Sequence, residues 1–289
     1  MDIRAIFMGL SFAFIWSSAF SSARIIVANA PPLASLSLRF FISGILGVLL
    51  ARLMGQTWQL TRDQWRATFI FGLCQNALYL GLFFYAMQTI EASLASIIAS
   101  VMPLMVAFAG WVFYRDRLQP IAVLGLIAGV IGVVIIMGSR INGGVDMFGI
   151  GLCVIGTIAL TIATLSMRGA SSGGNLMMIV GLQMFVGAAF LAVASLFLET
   201  IQVNLTWPLV LAFIYTTLAP GLLATWIWFA LVARIGAVRA ATFHFLNPFF
   251  GVAIAAALLG EKIGLADVLG VAIIAGGILA VQLSKQTAA

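Results

Sequence analysis

Residues 92–117, ASLASIIASVMPLMVAFAGWVFYRDR, and residues 237–262, AVRAATFHFLNPFFGVAIAAALLGEK, carry one pattern 145 positions apart. In each, small residues lead to a proline, Pro103 or Pro248, and an apolar run follows. An acid–base pair closes it, Asp116-Arg117 or Glu261-Lys262. The same gapless shift sets Phe84 on Phe229, Ala92 on Ala237 and Ala95 on Ala240. It also sets Gly125 and Gly132 on Gly270 and Gly277. Similarity at one long offset marks an internal duplication. The chain divides into a first repeat, 1–142, and a second, 143–289.

Both stretches are long enough and apolar enough to cross a bilayer, which takes about twenty residues. The rest of the chain agrees. Of its 289 residues 63% are hydrophobic and 8% charged, where a soluble domain carries roughly 25% charged residues. So few charges cannot make a water-soluble surface, and lipid must cover most of the outside. The net charge of +6 comes from isolated basic residues between apolar runs, which points to topology and not to nucleic acid. Cys74 and Cys153 stand alone inside apolar stretches beside a single histidine, so neither a disulfide framework nor a metal site is expected. No cofactor motif appears. Arg4 and the apolar run after it resemble a signal peptide, but cleavage would spoil the repeat, so this segment reads as the first membrane helix.

Ten helices follow, near 5–27, 33–53, 67–88, 92–114, 120–138, 147–167, 175–197, 208–232, 238–259 and 265–283. The fold class is an all-α polytopic membrane protein of two five-helix repeats. Five is odd, so the second copy must cross the membrane upside down. Pro31, Pro32, Pro120 and Pro208 stand at helix starts, where a missing N–H costs little. Pro103, Pro220 and Pro248 fall within helices and favour kinks. With a cytoplasmic N-terminus, ten basic residues lie inside (Arg4, Arg52, Arg62, Arg66, Arg115, Arg117, Arg168, Arg234, Arg239 and Lys285). Three lie outside (Arg24, Arg140 and Lys262), and Arg39 lies within the second helix. Both termini are therefore expected in the cytoplasm, with the chain in a bacterial inner membrane.

The segments that carry a resemblance lie in both halves. They are Ile15-Trp16-Ser17-Ser18-Ala19-Phe20, Leu38-Arg39-Phe40, the run from Tyr85-Ala86 through Ala92-Ser93-Leu94-Ala95-Ser96 to Pro103 and Arg115-Asp116-Arg117-Leu118, and the run from Ala237 through Asn247-Pro248 to Gly260-Glu261-Lys262-Ile263. In order and spacing they resemble the drug/metabolite transporter superfamily in its EamA-type, two-repeat branch. Within it the chain looks most like the bacterial aromatic amino acid exporters of the YddG type. Asp116 stands where the family usually has Glu, a swap that keeps the charge. The resemblance implies a cavity lined by helices 1–4 and 6–9, with helices 5 and 10 outside, exposed alternately to the two sides.

Polar groups inside a membrane are costly and face protein or water. Helix 3 carries Gln75, Asn76, Tyr79 and Phe83, whose amides, phenol and ring suit an aromatic zwitterion or, equally, interhelical packing. Helix 4 carries Ser93, Ser96 and Ser100, whose hydroxyls either line a path or bond back along the helix. Helix 9 carries Thr242, His244 and Asn247 before Pro248, the most polar mid-membrane cluster. Trp16, Trp226 and Trp228 are mid-helix, away from the interfaces that tryptophan favours. The expected substrate-binding residues are Trp16, Gln75, Asn76, Tyr79, Phe83, Ser96, Ser100, Trp226, His244 and Asn247, with Pro103 and Pro248 as kinks for gating. Arg39, about 9 Å into its helix by the helix rise, either snorkels, makes a structural bond or holds a substrate carboxylate. Gly125-x-x-x-Gly129 and Ala272-x-x-x-Gly276 allow close packing, within the chain or in a weak homodimer.

These features favour a secondary transporter exporting small metabolites, aromatic amino acids first, downhill and by alternating access. The alternative in the same class is a proton-coupled exporter of drugs or other metabolites. No HExxH, GxSxG, nucleotide loop or pair of intramembrane carboxylates suggests an enzyme, and no filter motif suggests a channel. The expected partners are a small-molecule substrate and membrane lipid.

Overall fold

The computed structural model describes residues 3–115, 119–166, 175–235, 240 and 242–287. Asp116, Arg117, Leu118, Arg168, Ala237 and Arg239, used above, lie outside them. The elements are α1 (Ile3–Val27), α2 (Pro32–Leu53), α3 (Arg62–Ala86), α4 (Ala92–Ser100, then Met102–Tyr114) and α5 (Pro120–Asn142), then α6 (Met147–Ser166) and α7 (Leu176–Leu198). The last three are α8 (Trp207–Leu218, a π turn at Ala219–Leu223, and Ala224–Ile235), α9 (a 3-10 turn at Thr242–Leu246, then Asn247–Leu259) and α10 (Leu265–Thr287). Among the described residues nine helices are long and apolar enough to cross a membrane, and Phe243–Leu259 is a shorter apolar tenth. The protein is an all-α, polytopic, two-repeat membrane protein.

The 145-residue shift extends well beyond the motif that first showed it. Applied to α5, Pro120–Asn142, it gives the bounds of α10, Leu265–Thr287. Applied to Met102–Tyr114, the second part of α4, it gives Asn247–Leu259. Both of these segments end on a left-handed residue, Arg115 (φ 57°) and Gly260 (φ 68°). Glycine takes that conformation freely, whereas arginine is uncommon there. Thr61 and Thr206 cap α3 and α8 in the same way, each accepting the N–H three residues on, from Gln64 at 3.2 Å and Leu209 at 3.3 Å. At Thr61 the Gln64 side chain accepts the cap's own N–H at 3.0 Å, a full capping box. This starts α3 at Arg62, five residues before the expected 67. The charged first turn lies above the apolar run and is invisible to hydropathy.

Cα packing separates two compact units, and each draws on both repeats. One comprises Met1–Ser21, Thr89–Ile150 and Leu223–Ala289; the other comprises Ser22–Gln88 and Gly151–Leu222. In the second unit α2 packs antiparallel to its counterpart α7. The Glu199 carboxylate, at the end of α7, accepts from the N–H groups of Leu33 (2.7 Å) and Ala34 (3.0 Å) at the start of α2. Ser37 Oγ donates to the Ala188 carbonyl at 2.8 Å, and Gly47 meets Gly181 backbone to backbone. In the first unit α4 pairs with α9 in the same sense. Glu261 accepts from Ala92 N–H (2.8 Å) and Ser93 N–H (2.9 Å), and Ser96 faces Gly251. A carboxylate over the orphan N–H groups of a helix start satisfies both donors and the helix dipole, contributing about 1 kcal/mol.

The pairing of α5 with α10 is reciprocal. Gly125 lies against the carbonyl of Gly277, and Gly132 lies against the carbonyl of Gly270. Gly270 and Gly277 are the repeat counterparts of Gly125 and Gly132, so each contact is the other with the copies exchanged. That is the signature of a local pseudo-twofold, and it assigns Gly125, Gly132, Gly270 and Gly277 to packing within the chain; Ala272 and Gly276, expected to allow close packing, are exposed instead. The opposite face of α5 shows Leu124, Ile127, Val130 and Val134, exposed and apolar as a lipid-facing surface should be.

An orientation test follows from five spans per repeat. In a variant lacking Cys74 and Cys153, Gln59→Cys and Gly143→Cys are expected to react with an impermeant maleimide from opposite sides of the membrane. Labelling of both from the periplasm would overturn the inverted arrangement.

Candidate functional site

The expected binding residues fall into two groups, one in each unit. In the first unit an aromatic cluster is built from α1, α8 and α9. Phe12 lies 4.8 Å from Trp228, 5.3 Å from His244 and 5.6 Å from Trp16, centroid to centroid. Trp228 and His244 are 5.2 Å apart. Beneath them Ala5, Leu231, Ala240 and Phe243 form a buried core, and Phe243 fills the space that the missing side chain of Gly9 leaves. Trp16 and His244 are half-buried.

Asn247 Nδ2 lies 3.0 Å from His244 Nδ1. With the amide nitrogen donating, Nδ1 accepts, which corresponds to the neutral tautomer with its proton on Nε2. The carbonyl of Asn247 accepts from Ser17 Oγ at 3.2 Å, while its side-chain Oδ1 is buried without a partner. This cluster therefore combines aromatic surface, one N–H donor and one unused amide oxygen. Ser96 and Ser100 lie on α4: Ser100 Oγ donates back to the Ser96 carbonyl at 2.6 Å, and Ser96 Oγ is buried without a partner.

The prolines break their helices. The first α-helical part of α4 ends at Ser100 and the second begins at Met102, with Pro103 in its first turn. In α9 the 3-10 turn ends at Leu246, and Pro248 again occupies the first α-helical turn. Proline has no N–H to continue the ladder and fits the first turn of a new segment.

In the second unit α3 changes to a π turn at Gly72–Tyr79, which holds Gln75, Asn76 and Tyr79. Its repeat counterpart in α8 is the π turn Ala219–Leu223, at Pro220. π turns are rare and concentrate at functional sites. Asn76, 2% exposed, donates from Nδ2 to the Gln183 carbonyl at 3.1 Å and fills the space at Gly187. Tyr79 meets Phe83 edge to face at 4.7 Å, and the fully buried Phe83 ring packs on Gly156. Gln75 is half-buried on the same turn. Arg24, in the last turn of α1, donates to the carbonyls of Met87 and Gln88 just past α3, a cation on a helix C-terminus. At the mouth of α6, hydrogen bonding from Thr89 holds the Asp146 carboxyl below the usual carboxylate range.

Trp226 and Trp228 point opposite ways, being two residues and thus about 200° apart on a helix. Trp228 joins the aromatic cluster, while Trp226 is 61% exposed. Sequence reasoning did not select Phe12, although it lies one turn before Trp16. It also left Arg39 undecided; the structure buries it among α2 and α8 residues.

These features describe a multi-pass membrane protein built on two repeats with broken, polar helices. The chain belongs to the EamA-like transporter family, whose model matches it twice, over residues 3–138 and 147–283. It is therefore a membrane transporter. It is 24% identical to the uncharacterized transporter YvbV of Bacillus subtilis (strain 168), covering 94% of this chain and 89% of that one. It is 26% identical to an uncharacterized transporter of Archaeoglobus fulgidus, over 91% and 93% of the two chains. With protein PecM of Dickeya dadantii (strain 3937) it shares 22% identity, over 93% and 89%. A solved crystal structure superposes with a TM-score of 0.71 over 98% of both chains at 18% identity, a likeness of fold.

Proposed function

We propose that this transporter exports small zwitterionic metabolites, aromatic amino acids first among them, from a bacterial cytoplasm through the inner membrane. Both termini face the cytoplasm, and the movement is downhill and by alternating access. The observation that carries the reading is the cluster of Phe12, Trp16, Trp228 and His244, with Asn247 beside it. Stacked or edge-on rings favour an aromatic ligand beyond the area buried. His244 offers an imidazole N–H donor beside the rings, and Asn247 Oδ1 is free to accept a hydrogen bond from an ammonium. The two repeats supply the symmetry with which secondary transporters reach a site from either side.

The test is counterflow in proteoliposomes loaded with tryptophan, phenylalanine, leucine or alanine. Saturable exchange favouring the aromatic pair is expected. His244→Ala, and Tyr79→Phe in the second unit, should each lower aromatic flux by about tenfold, the scale of one lost hydrogen bond to a buried polar group. Expression and monodispersity should stay near wild type. Wild-type flux in both variants would return these residues to packing, and equal exchange of all four amino acids would remove the aromatic preference.

A further inference from the structure

Arg39 lies seven residues into α2, about 10 Å along the helix by its rise. It is only 7% exposed, so it does not snorkel. Its guanidinium carbon is 5.2 Å from the Phe40 ring centre, and its Nε is buried with no hydrogen-bond partner. One turn on, Ser43 Oγ is also buried with no partner. Among the described residues no carboxylate pairs with this arginine. A buried cation without a counter-charge is among the most costly arrangements in a protein, and more so within a membrane.

The repeat shows what stands opposite this cation. Arg39 and Ser43 face Gly221, in the π turn of α8. A Cβ at Gly221 would stand 3.6 Å from Arg39 Nη2, 3.8 Å from Ser43 Oγ and 3.3 Å from the Thr216 carbonyl. The counterpart of Gly221, 145 residues earlier, is Asn76. In the first repeat that side chain fills the equivalent place and bonds to the Gln183 carbonyl. In the second repeat glycine supplies no side chain there, and the facing helix supplies a guanidinium whose Nε has no hydrogen-bond partner and the unpartnered Ser43 hydroxyl. Two buried, unpartnered donors beside a residue without a side chain have the chemistry to bind an oxyanion.

We propose that Arg39 and Ser43, opposite Gly221, bind the carboxylate of the transported substrate. This deepens the proposed function and rests on it for the identity of the cargo, but the geometry lies wholly within the second unit. A phospholipid phosphate shares the oxyanion chemistry, so the test separates the two.

The test uses purified full-length protein in detergent, with melting temperature and competition binding as readouts. Wild type should bind phenylalanine about ten- to hundredfold more tightly than phenethylamine, which lacks the carboxylate; this is the scale of a charge-assisted hydrogen bond. That comparison needs no variant. Arg39→Gln and Gly221→Asn, the latter inserting the residue found in the other repeat, should lower phenylalanine affinity by the same factor and leave phenethylamine unchanged. Arg39→Lys should recover part of the difference. Equal affinity of wild type for the two probes, or equal losses for both in Arg39→Gln, overturns the proposal. Stabilisation by phosphatidylglycerol alone, with no response to a soluble carboxylate, places a lipid there and also overturns it. If wild type carries no aromatic amino acid, the reading of the cargo falls by itself. A melting shift with benzoate or an aliphatic amino acid, lost in Arg39→Gln, then still supports the carboxylate site, and no shift with any carboxylate removes it.

Discussion

Gly277→Val is expected to leave little folded protein, whereas Gly276→Val, one residue away, should resemble wild type. A Cβ at Gly277 would stand 2.5 Å from the Gly125 carbonyl oxygen and 3.1 Å from Gly129 N. Both obstacles are backbone, and backbone in a packed helix cannot swing aside as a side-chain tip can. Overpacking a well-filled interior costs about 1–3 kcal/mol where neighbours can shift, so the upper end or more is expected here. The same position carries the reciprocal contact, since a Cβ at Gly125 would stand 2.6 Å from the Gly277 carbonyl. Gly125→Val should therefore fail in the same way. Gly276 is exposed, and a Cβ there meets nothing within 4 Å. The readouts are monodispersity and thermal melting in detergent. If Gly277→Val melts like wild type, the antiparallel α5–α10 contact is wrong.

That pair of glycines also shows what could be read from the sequence. Their spacing in the two halves was visible as a match of Gly125 and Gly132 to Gly270 and Gly277. A sequence match states that two positions are equivalent, not that they touch. The contact appears only because the copies run oppositely, so that equivalent helices meet antiparallel and exchange their partners. For the same reason the compact units each contain parts of both repeats. α2 rests on α7, α4 on α9 and α5 on α10, and the packing partner of a helix is its distant copy. Apolar runs found the spans, but they could not find the polar first turn of α3, which Thr61 and Gln64 define. Nor could they find the π turns at Gly72–Tyr79 and Ala219–Leu223, whose single-residue slip leaves hydropathy unchanged.

The polar residues of the candidate site were legible as positions, and their contacts were not. His244, Asn247 and Pro248 stood out because polar residues are rare in these helices, and the structure sets His244 and Asn247 in direct contact. Tyr79 and Phe83, one turn apart, do meet. Arg39 was conspicuous but ambiguous, since an arginine near a helix end can snorkel. Its burial depends on Gly221, 182 positions further along the chain. No local pattern reports that such a glycine faces it, though the Asn76–Gly221 difference between the repeats was a usable signal.

An imposed pH gradient is expected to move no net substrate. Every described acid stands at or beside a helix end. Asp63 lies in the first turn of α3, and Glu91 is the N-cap of α4. Glu199 and Glu261 close over the starts of α2 and α4. Asp146 accepts from Thr89 Oγ1 at 2.7 Å, and Asp267 accepts from Gly264 N–H at 2.9 Å. Proton-driven carriers place an ionisable relay within the membrane. Of the described groups that titrate near neutral pH, His244 alone is so placed. Its Nδ1 lies 3.0 Å from Asn247 Nδ2, and the rings of Phe12 and Trp228 pack against it, a setting for a fixed hydrogen-bonding imidazole more than for one that loads and releases protons. The experiment uses sealed proteoliposomes with equal tryptophan on both sides and a pH step across the membrane. Tryptophan should stay level while counterflow in the same vesicles confirms active protein. Protein-dependent uphill accumulation, abolished by an uncoupler and by His244→Gln, would make His244 the proton site and the transporter an antiporter. Accumulation that survives His244→Gln would also end the downhill reading. It would move the relay to Asp2 or Asp116, the two acids whose places in the fold lie outside the described residues.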